Sequence, residues 1–375
     1  MYGDTATLTI DLDAIAANWR RLRDLHPGAD CAAVVKADAY GLGAARVAPA
    51  LARAGCRRFF VAHAEEALSL RKALPNAAIY VLHGVPAGAE ADLLAAGVVP
   101  VLSTPEQAAR WAAEAQRRSM RLRAALQVDT GINRLGLQPG EFAALTETTS
   151  SLAPFELQFL MSHLACADVP DHPLNAEQLR RFTLARARLP GIAASLANSA
   201  GCFLGPDYRC DILRPGIALF GGNPVDPQHP ELHARAEMRP VVRLEGRILQ
   251  IRDIDRHEAV GYGATYRVEK PARIATVAVG YADGFLRALS NNGQAAIAVG
   301  SGHVRVPIAG RVSMDMITLD ISALSAGDCR PGQAVTLLGG PIDLDAQAAA
   351  AGTISYELLT GLGRRYARIY TGEAA

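Results

Sequence analysis

Four short stretches of this 375-residue chain carry side chains that could do chemistry. In "VVKADAYGLG", Lys36 directly follows an apolar run and precedes Tyr40 and two glycines. "MSHLACAD" offers His163, and "ANSAG" offers Asn198 and Ser199. "LRPGI" offers Arg214, followed by the backbone amides of Gly216 and Ile217. A lysine amine can condense with a carbonyl, and a serine hydroxyl beside free amides can cradle a phosphate. Together, a phosphate and an imine-forming lysine point to pyridoxal 5'-phosphate, whose ring acts as an electron sink. A plainer reading also exists: lysines end strands because the stem covers apolar surface while the ammonium reaches water.

The elements carrying these residues decide between the two. From about residue 30 to 220, short apolar runs (31–35, 58–62, 78–82, 98–102, 123–128, 156–162, 192–197 and 210–214) alternate with helix-like segments. In one of these segments, "TPEQAARWAAEAQRR", Thr104 suits the N-cap and Pro105 the first turn. Such alternation predicts parallel strands with helices outside. Eight strands predict an α/β fold, a closed (β/α)8 TIM-type barrel, although the eighth is poorly marked. No GxGxxG follows the first strand, which argues against a dinucleotide-binding sheet. A barrel's active face lies at the carboxyl ends of its strands, where Lys36, His163, the Asn198–Ser199 pair and Arg214 all fall. After about residue 235, alternating runs with glycine-rich turns predict a second, C-terminal mostly-β domain. The expected boundaries are 1–235 for the barrel and 236–375 for the β-rich domain. Strand-like "ATLTIDL" makes residues 1–12 a candidate partner of the latter.

Composition excludes several classes. A formal net charge of +1 leaves no footprint for nucleic acid or an anionic membrane. The short basic clusters "RRLR" and "GRRYAR" read as a solvated helix face or a chain end. The longest uncharged run, 189–206, is broken by prolines and glycines and does not suit a membrane span. Six scattered cysteines form no CxxC pair, and "SHLACADVPDH", with His163, Asp168 and His172, fits no standard metal site. Acids near the start argue against a signal peptide. A reducing, cytoplasmic setting without a metal is expected.

Nine motifs in order resemble those of the bacterial alanine racemases: "VVKADAYGLG", "VDTGINRLG", "MSHLACAD", "ANSAG", "DILRPGIALFG", "VGYGATY", "VGYADG", "GRVSMDM" and "GTISYELLTGLGRR". That family combines a barrel holding pyridoxal 5'-phosphate with a C-terminal β domain and works as a homodimer with shared active sites. The resemblance implies that Lys36 carries the cofactor as an imine and serves as one of two bases. Tyr262, from the partner subunit, is implied as the other. Tyr40, Ser199, Gly216, Ile217 and Tyr356 match phosphate-binding positions, with Asn198 beside them. Arg214 matches the arginine facing the pyridine nitrogen, with His163 behind it. Arg134 and Met314 match positions near the substrate carboxylate, and Arg134 also lies near the cofactor's phenolic oxygen. Tyr281 and Asp315 match entrance and support positions. Amines and phenols ordinarily titrate near pH 10, so both bases must be tuned to act near neutrality.

The chain departs from the family pattern at Gln127, where many members carry a carboxylated lysine supporting the arginine here numbered Arg134. The Gln127 amide oxygen or a small anion is the expected replacement. Leu42, Ile132, Ser313 and Phe220 stand where histidine, methionine, cysteine and tyrosine are frequent. Taken singly, Tyr262 also reads as a sheet-packing residue, His163 as a satisfied buried histidine, and Arg214 as the partner of a surface acid. Racemisation of alanine is the leading expectation. A racemase of broader scope, a barrel-type decarboxylase and a non-catalytic cofactor-binding protein are the alternatives.

Overall fold

The structure, a computed structural model, describes residues 5–372. The outermost parts of both expected domain ranges, 1–4 and 373–375, lie outside them. Two compact units divide the chain. One comprises Ile15–Leu219 and Asn223–Met238; the other takes the N-terminal segment through Ala14, Phe220–Gly222 and the chain from Arg239 onward.

The chain begins with β1 (Ala6–Asp11) and α1 (Leu12–Asp24), whose Arg20, Arg21 and Arg23 face solvent as "RRLR" suggested. Trp19 Nε1 donates to the Cys31 carbonyl (3.0 Å) and docks α1 on the first barrel strand. That strand is β2 (Asp30–Cys31) continued as β3 (Ala33–Val34). It leads into a short turn, α2 (Lys36–Tyr40), and then α3 (Ala44–Ala54). β4 (Arg58–Val61), β5 (Ala78–Val81), β6 (Val99–Leu102), β7 (Leu122–Gln127), β8 (Phe155–Met161) and β9 (Ala194–Ser195) follow, each parallel to the one before. Between them run α4 (Ala64–Ala73), α5 (Glu90–Ala95), α6 (Pro105–Arg118), the pair α7 (Pro139–Leu145) and α8 (Thr149–Leu152), and α9 (Pro173–Arg186). Thr104 caps α6 by accepting the Gln107 N–H (3.2 Å), and Trp111 and Ala115 bury its inner face.

The eighth strand, β10 (Ile212–Leu213), closes the ring. It pairs in parallel with β2, and the Asp211 and Arg214 amides donate to Ala194 and Ala197 (2.9 and 3.0 Å). Only two residues pair as regular strand; the flanking positions complete the seam. Helices α10 (Pro206–Arg209) and α11 (Pro230–Arg235) flank it. The core is built from continuous apolar strands, as parallel pairing covered on both faces requires. Rings of Phe60, Tyr80 and Phe159 pack at 4.9–5.8 Å between centroids. Each such buried side chain contributes roughly 1.5–3 kcal/mol.

The other unit is mostly antiparallel. β11 (Val242–Ile254) is its spine, pairing with β1 and with β14 (Ala272–Val277). Between these, the hairpin of β12 (Ala259–Val260) and β13 (Tyr266–Arg267) carries Tyr262 at its tip. β15 (Gln294–Val299), β16 (Gly302–Pro307), β17 (Ile317–Asp320) and β18 (Ala334–Leu338) extend the sheet. Two helices, α12 (Leu344–Ala350) and α13 (Ser355–Thr360), and a final strand, β19 (Ala367–Thr371), complete it. β19 runs parallel to β1. Of the two readings of "GRRYAR", the helix face does not hold and the chain end does, with Arg364 and Arg365 exposed just before the last strand. Arg365 reaches two aspartates, and Ala367 and Arg368 already belong to β19.

Candidate active site

Lys36 leaves the barrel core at the end of β3 and opens a turn of unusual hand. Ala37, Asp38, Ala39 and Tyr40 all have φ between 52° and 56°, and Gly41 follows at 82°. Left-handed helical geometry costs L-residues roughly 1–2 kcal/mol each, so four non-glycine residues hold on the order of 4–8 kcal/mol of strain. The turn is internally bonded, with the Ala39 amide donating to Val35 (2.9 Å) and that of Gly41 to Ala37 (2.7 Å). Asp38 Oδ1 accepts the Ala44 amide (2.7 Å) and ties the turn to α3. Tyr40 is thereby folded back into the barrel mouth, buried.

There Tyr40 meets the loops after β9 and β10. A Cβ at Gly216 would overlap the Tyr40 hydroxyl, so only glycine leaves room for it. Ser199 Oγ accepts the amides of Gly216 (2.8 Å) and Ala218 (3.4 Å), and Ile217 lies between them, buried. The Tyr40 phenol and the Ser199 hydroxyl thus meet at the start of one loop, whose Gly216 and Ala218 amides Ser199 already takes. The amide group of Asn198 is engaged with backbone instead. Its Oδ1 accepts the Gly201 N–H (2.9 Å) and its Nδ2 donates to Leu164 (3.4 Å), which braces the loop that presents Ser199.

Arg214 is buried at 3% exposure and its guanidinium is spread over neutral acceptors, the Ser195 hydroxyl and the carbonyls of Ser162 (2.6 Å) and Leu196 (3.4 Å). No hydrogen bond among the described residues uses its Nε–H. Burial lowers its pKa to about 10, which still leaves it protonated near neutrality. His163 is neutral throughout that range, its pKa pushed down to about 3 by burial and then by the charges of Arg214, Arg134 and Lys36. The Lys36 amine is likewise lowered, first by burial and then by Arg134, while Glu66 opposes the shift.

Arg134 stands on the loop after β7, exposed. Asp129 Oδ1 shapes that loop by accepting the amides of Gly131, Ile132 and Asn133 (2.8–3.3 Å). Gln127 Nε2 donates to the Leu135 carbonyl (2.7 Å), holding the backbone next to Arg134. Among the described residues no hydrogen bond or ion pair joins Gln127 to Arg134 itself. Leu42 and Phe220 are fully buried.

The remaining expected residues belong to the C-terminal unit. Gly261 and Gly263 (φ 73° and 72°) flank Tyr262, which is 71% exposed, and the Arg311 guanidinium lies against Gly263. Tyr281 and Met314 sit on two loops clasped together, with the Tyr281 amide donating to Ser313 (3.0 Å) and that of Ala282 to Met314 (2.9 Å). Asp315 accepts from Arg365 (2.8 Å), which also pairs with buried Asp283 (3.0 Å). Tyr356 lies on α13.

Sequence reasoning missed three supports. Buried Gln178 joins Thr130, the His163 carbonyl and the Ala165 amide. Arg365 locks the Tyr281 and Met314 loops. Glu66, on α4, bonds the amide directly after Lys36.

A lysine of lowered pKa, a phenol and a hydroxyl gathered on one loop, and a buried arginine thus come together on the barrel unit. Residues 10–224 match the family description "Alanine racemase, N-terminal domain", and 241–370 match "Alanine racemase, C-terminal domain". The chain is similar to the alanine racemase of Rhodospirillum rubrum, 52% identical over 98% of this chain and 96% of that one. It is 48% identical to the alanine racemase of Brucella abortus, over 97% of this chain and 93% of that one. Among solved structures, the Bartonella henselae alanine racemase "with covalently bound pyridoxal phosphate" superposes with a TM-score of 0.91. It shares 40% identity, and the match covers 98% of this chain and 99% of that one. Matched by both domains from residue 10 to residue 370, the chain belongs to the alanine racemase family.

Proposed function

We infer that the chain interconverts L- and D-alanine with pyridoxal 5'-phosphate held by Lys36. The observation that carries this reading is the left-handed turn, which brings the Lys36 amine and the Tyr40 phenol to the same barrel mouth as Ser199 and Arg214. The residues fit the cofactor. Tyr40, Ser199 and the amides of Gly216 and Ile217 would hold its phosphate, and Arg214 would donate its free N–H to the ring nitrogen. When bound, the cofactor supplies a conjugated ring that withdraws electrons from the substrate's α-carbon and acidifies its proton.

The protein's own groups then move that proton. Lys36 Nζ takes or returns it on one face, and Tyr262 Oη does so on the other. Two bases on opposite faces invert the centre without passing the proton around the substrate. The lowered pKa of Lys36 gives it a larger neutral fraction than an ordinary lysine at the working pH. Arg214 keeps its proton, so a nitrogen facing it receives a hydrogen bond rather than a full charge. Neutral His163 adds no second cation beside Arg214. We assign Arg134 and Met314 to the substrate carboxylate, with Gln127 supporting the Arg134 loop through backbone, and Tyr281 and Asp315 to the entrance. His163 and Asn198 act as braces behind the cofactor.

Tyr262 and Met314, 71% and 54% exposed, are large apolar side chains without cover in the C-terminal unit. We place them against a second copy of the chain, so that residues 1–235 hold the cofactor of one site and 236–375 supply the second base of the other. No helix among the described residues is long and apolar enough to cross a membrane. All six cysteines are free, which accords with the reducing cytoplasm we propose.

Purified protein should bleach the optical rotation of either alanine enantiomer to zero. Faster turnover of serine in a panel of enantiopure amino acids would favour the broader racemase, and release of carbon dioxide the decarboxylase. Gly216→Ala should expel the Tyr40 hydroxyl from its place. Overpacking of this kind costs about 1–3 kcal/mol, or about 5- to 150-fold in the Kd for pyridoxal phosphate. Equilibrium titration of cofactor-free protein reads this directly, and an unchanged Kd would remove Gly216 from the cradle.

A further inference from the structure

We propose that Glu66 is the positioning residue for Lys36, fixing the left-handed turn that aims the amine and holding a negative charge against it. The proposal rests on the reading that Lys36 carries the cofactor. Glu66 lies in the first turn of α4, and its carboxylate bridges two barrel strands. Oε1 accepts the Ala37 amide at 2.6 Å, immediately after Lys36. Oε2 accepts the amides of Ala62 (2.8 Å) and His63 (3.2 Å), at the end of β4.

A glutamate at this place in a helix is ordinarily a capping-box residue, and the His63 bond is that contact. Capping explains neither the bond to Ala37, 29 positions away in sequence, nor the carboxylate's place beside the amine. The first residue of a strained turn needs an outside anchor, because strain of several kcal/mol persists only where the surroundings over-determine it. Ala37 opens that turn, and Glu66 is what its amide bonds.

The charges facing Lys36 make the second part of the case. Arg134 on the loop after β7 repels its proton, as burial does, while His163 after β8 is neutral. His83 after β5, stacked edge-on against His63 at 4.6 Å, is itself pushed toward neutrality by burial. Glu66 is the group that pulls the other way. It therefore limits a fall in the amine's pKa that burial and Arg134 drive.

Two variants separate charge from reach. Glu66→Gln keeps the length but removes the charge and one acceptor; Glu66→Asp keeps the charge but shortens the arm. Both are purified as holoenzyme, assayed for kcat on alanine, then stripped and followed for pyridoxal phosphate uptake against pH. Uptake releases one water as the neutral amine joins the aldehyde, so its midpoint reports the amine. Glu66→Gln should move that midpoint down by about half a unit or more and lower kcat about tenfold or more. Glu66→Asp should leave the midpoint within error of the parent but lower kcat by a similar factor. A Glu66→Gln protein with the parent's midpoint and rate overturns the proposal. Should that variant not fold, a Glu66→Asp protein with the parent's kcat overturns it equally. If the parent protein itself took up no cofactor on Lys36, the underlying reading would fail and this proposal with it. A normal parent with indifferent variants sinks Glu66 alone.

Discussion

Replacing Lys36 with alanine is expected to lower alanine racemisation by about 10⁴-fold or more, in both directions alike. The size follows from two duties on one nitrogen. The amine tethers the cofactor, and it handles the α-proton on its own face. A general base alone is worth about 10²–10⁴-fold, and loss of the tether comes on top. The side chain is only partly buried and emerges from a strand that ends in bonds it does not make, so the barrel should fold without it. Measured kcat/KM for both enantiomers, with the melting temperature as control, checks this. A variant retaining more than about a hundredth of the parent's activity would remove Lys36 from one of its two roles.

Tyr262→Phe should produce a loss of about 10²–10⁴-fold with a different signature. Deleting one hydroxyl from a side chain 71% exposed in the monomer should change stability by no more than about 0.5 kcal/mol. A drop in rate therefore cannot be charged to unfolding. With one base left, the variant should still exchange the α-proton of one enantiomer for deuterium in heavy water, without inversion. Full exchange of both enantiomers would exclude Tyr262 as the second base. Mixing the two inactive variants tests the shared site. Random pairing makes half the dimers mixed, and each mixed dimer regains one intact site of two, so about a quarter of the parent's activity should return. If both bases came from the same chain, none would.

Much of this was legible in the sequence where chemistry follows from residue type. Continuous apolar runs marked the barrel strands, since parallel strands covered on both faces have no polar side to show. Thr104 and Pro105 marked a helix start that the structure keeps. The rim positions of Lys36, His163, Ser199 and Arg214 followed from those strands. The eighth strand was faint because only Ile212 and Leu213 pair as strand, too few to show a pattern. The left-handed turn was invisible for a different reason. Of Ala37, Asp38, Ala39 and Tyr40 only Asp38 is of a type that tolerates positive φ, and a run of four is imposed by partners distant in sequence. Glu66 and Gln178 look like ordinary helix-surface residues until the barrel closes and turns them inward. Arg365 read as a chain end, because nothing local announces a bond to Asp283, 82 positions earlier.

The chain contains three lysines, Lys36, Lys72 and Lys270, and the latter two are exposed. That makes the decisive measurement simple: reduce the yellow holoprotein with borohydride, digest it, and locate the pyridoxyl group by mass spectrometry. Stoichiometric label on Lys36, with the other two lysines clean, is the expected result. Label on Lys72 or Lys270, or a colourless protein that gains none when pyridoxal phosphate is supplied, would contradict the account at its root.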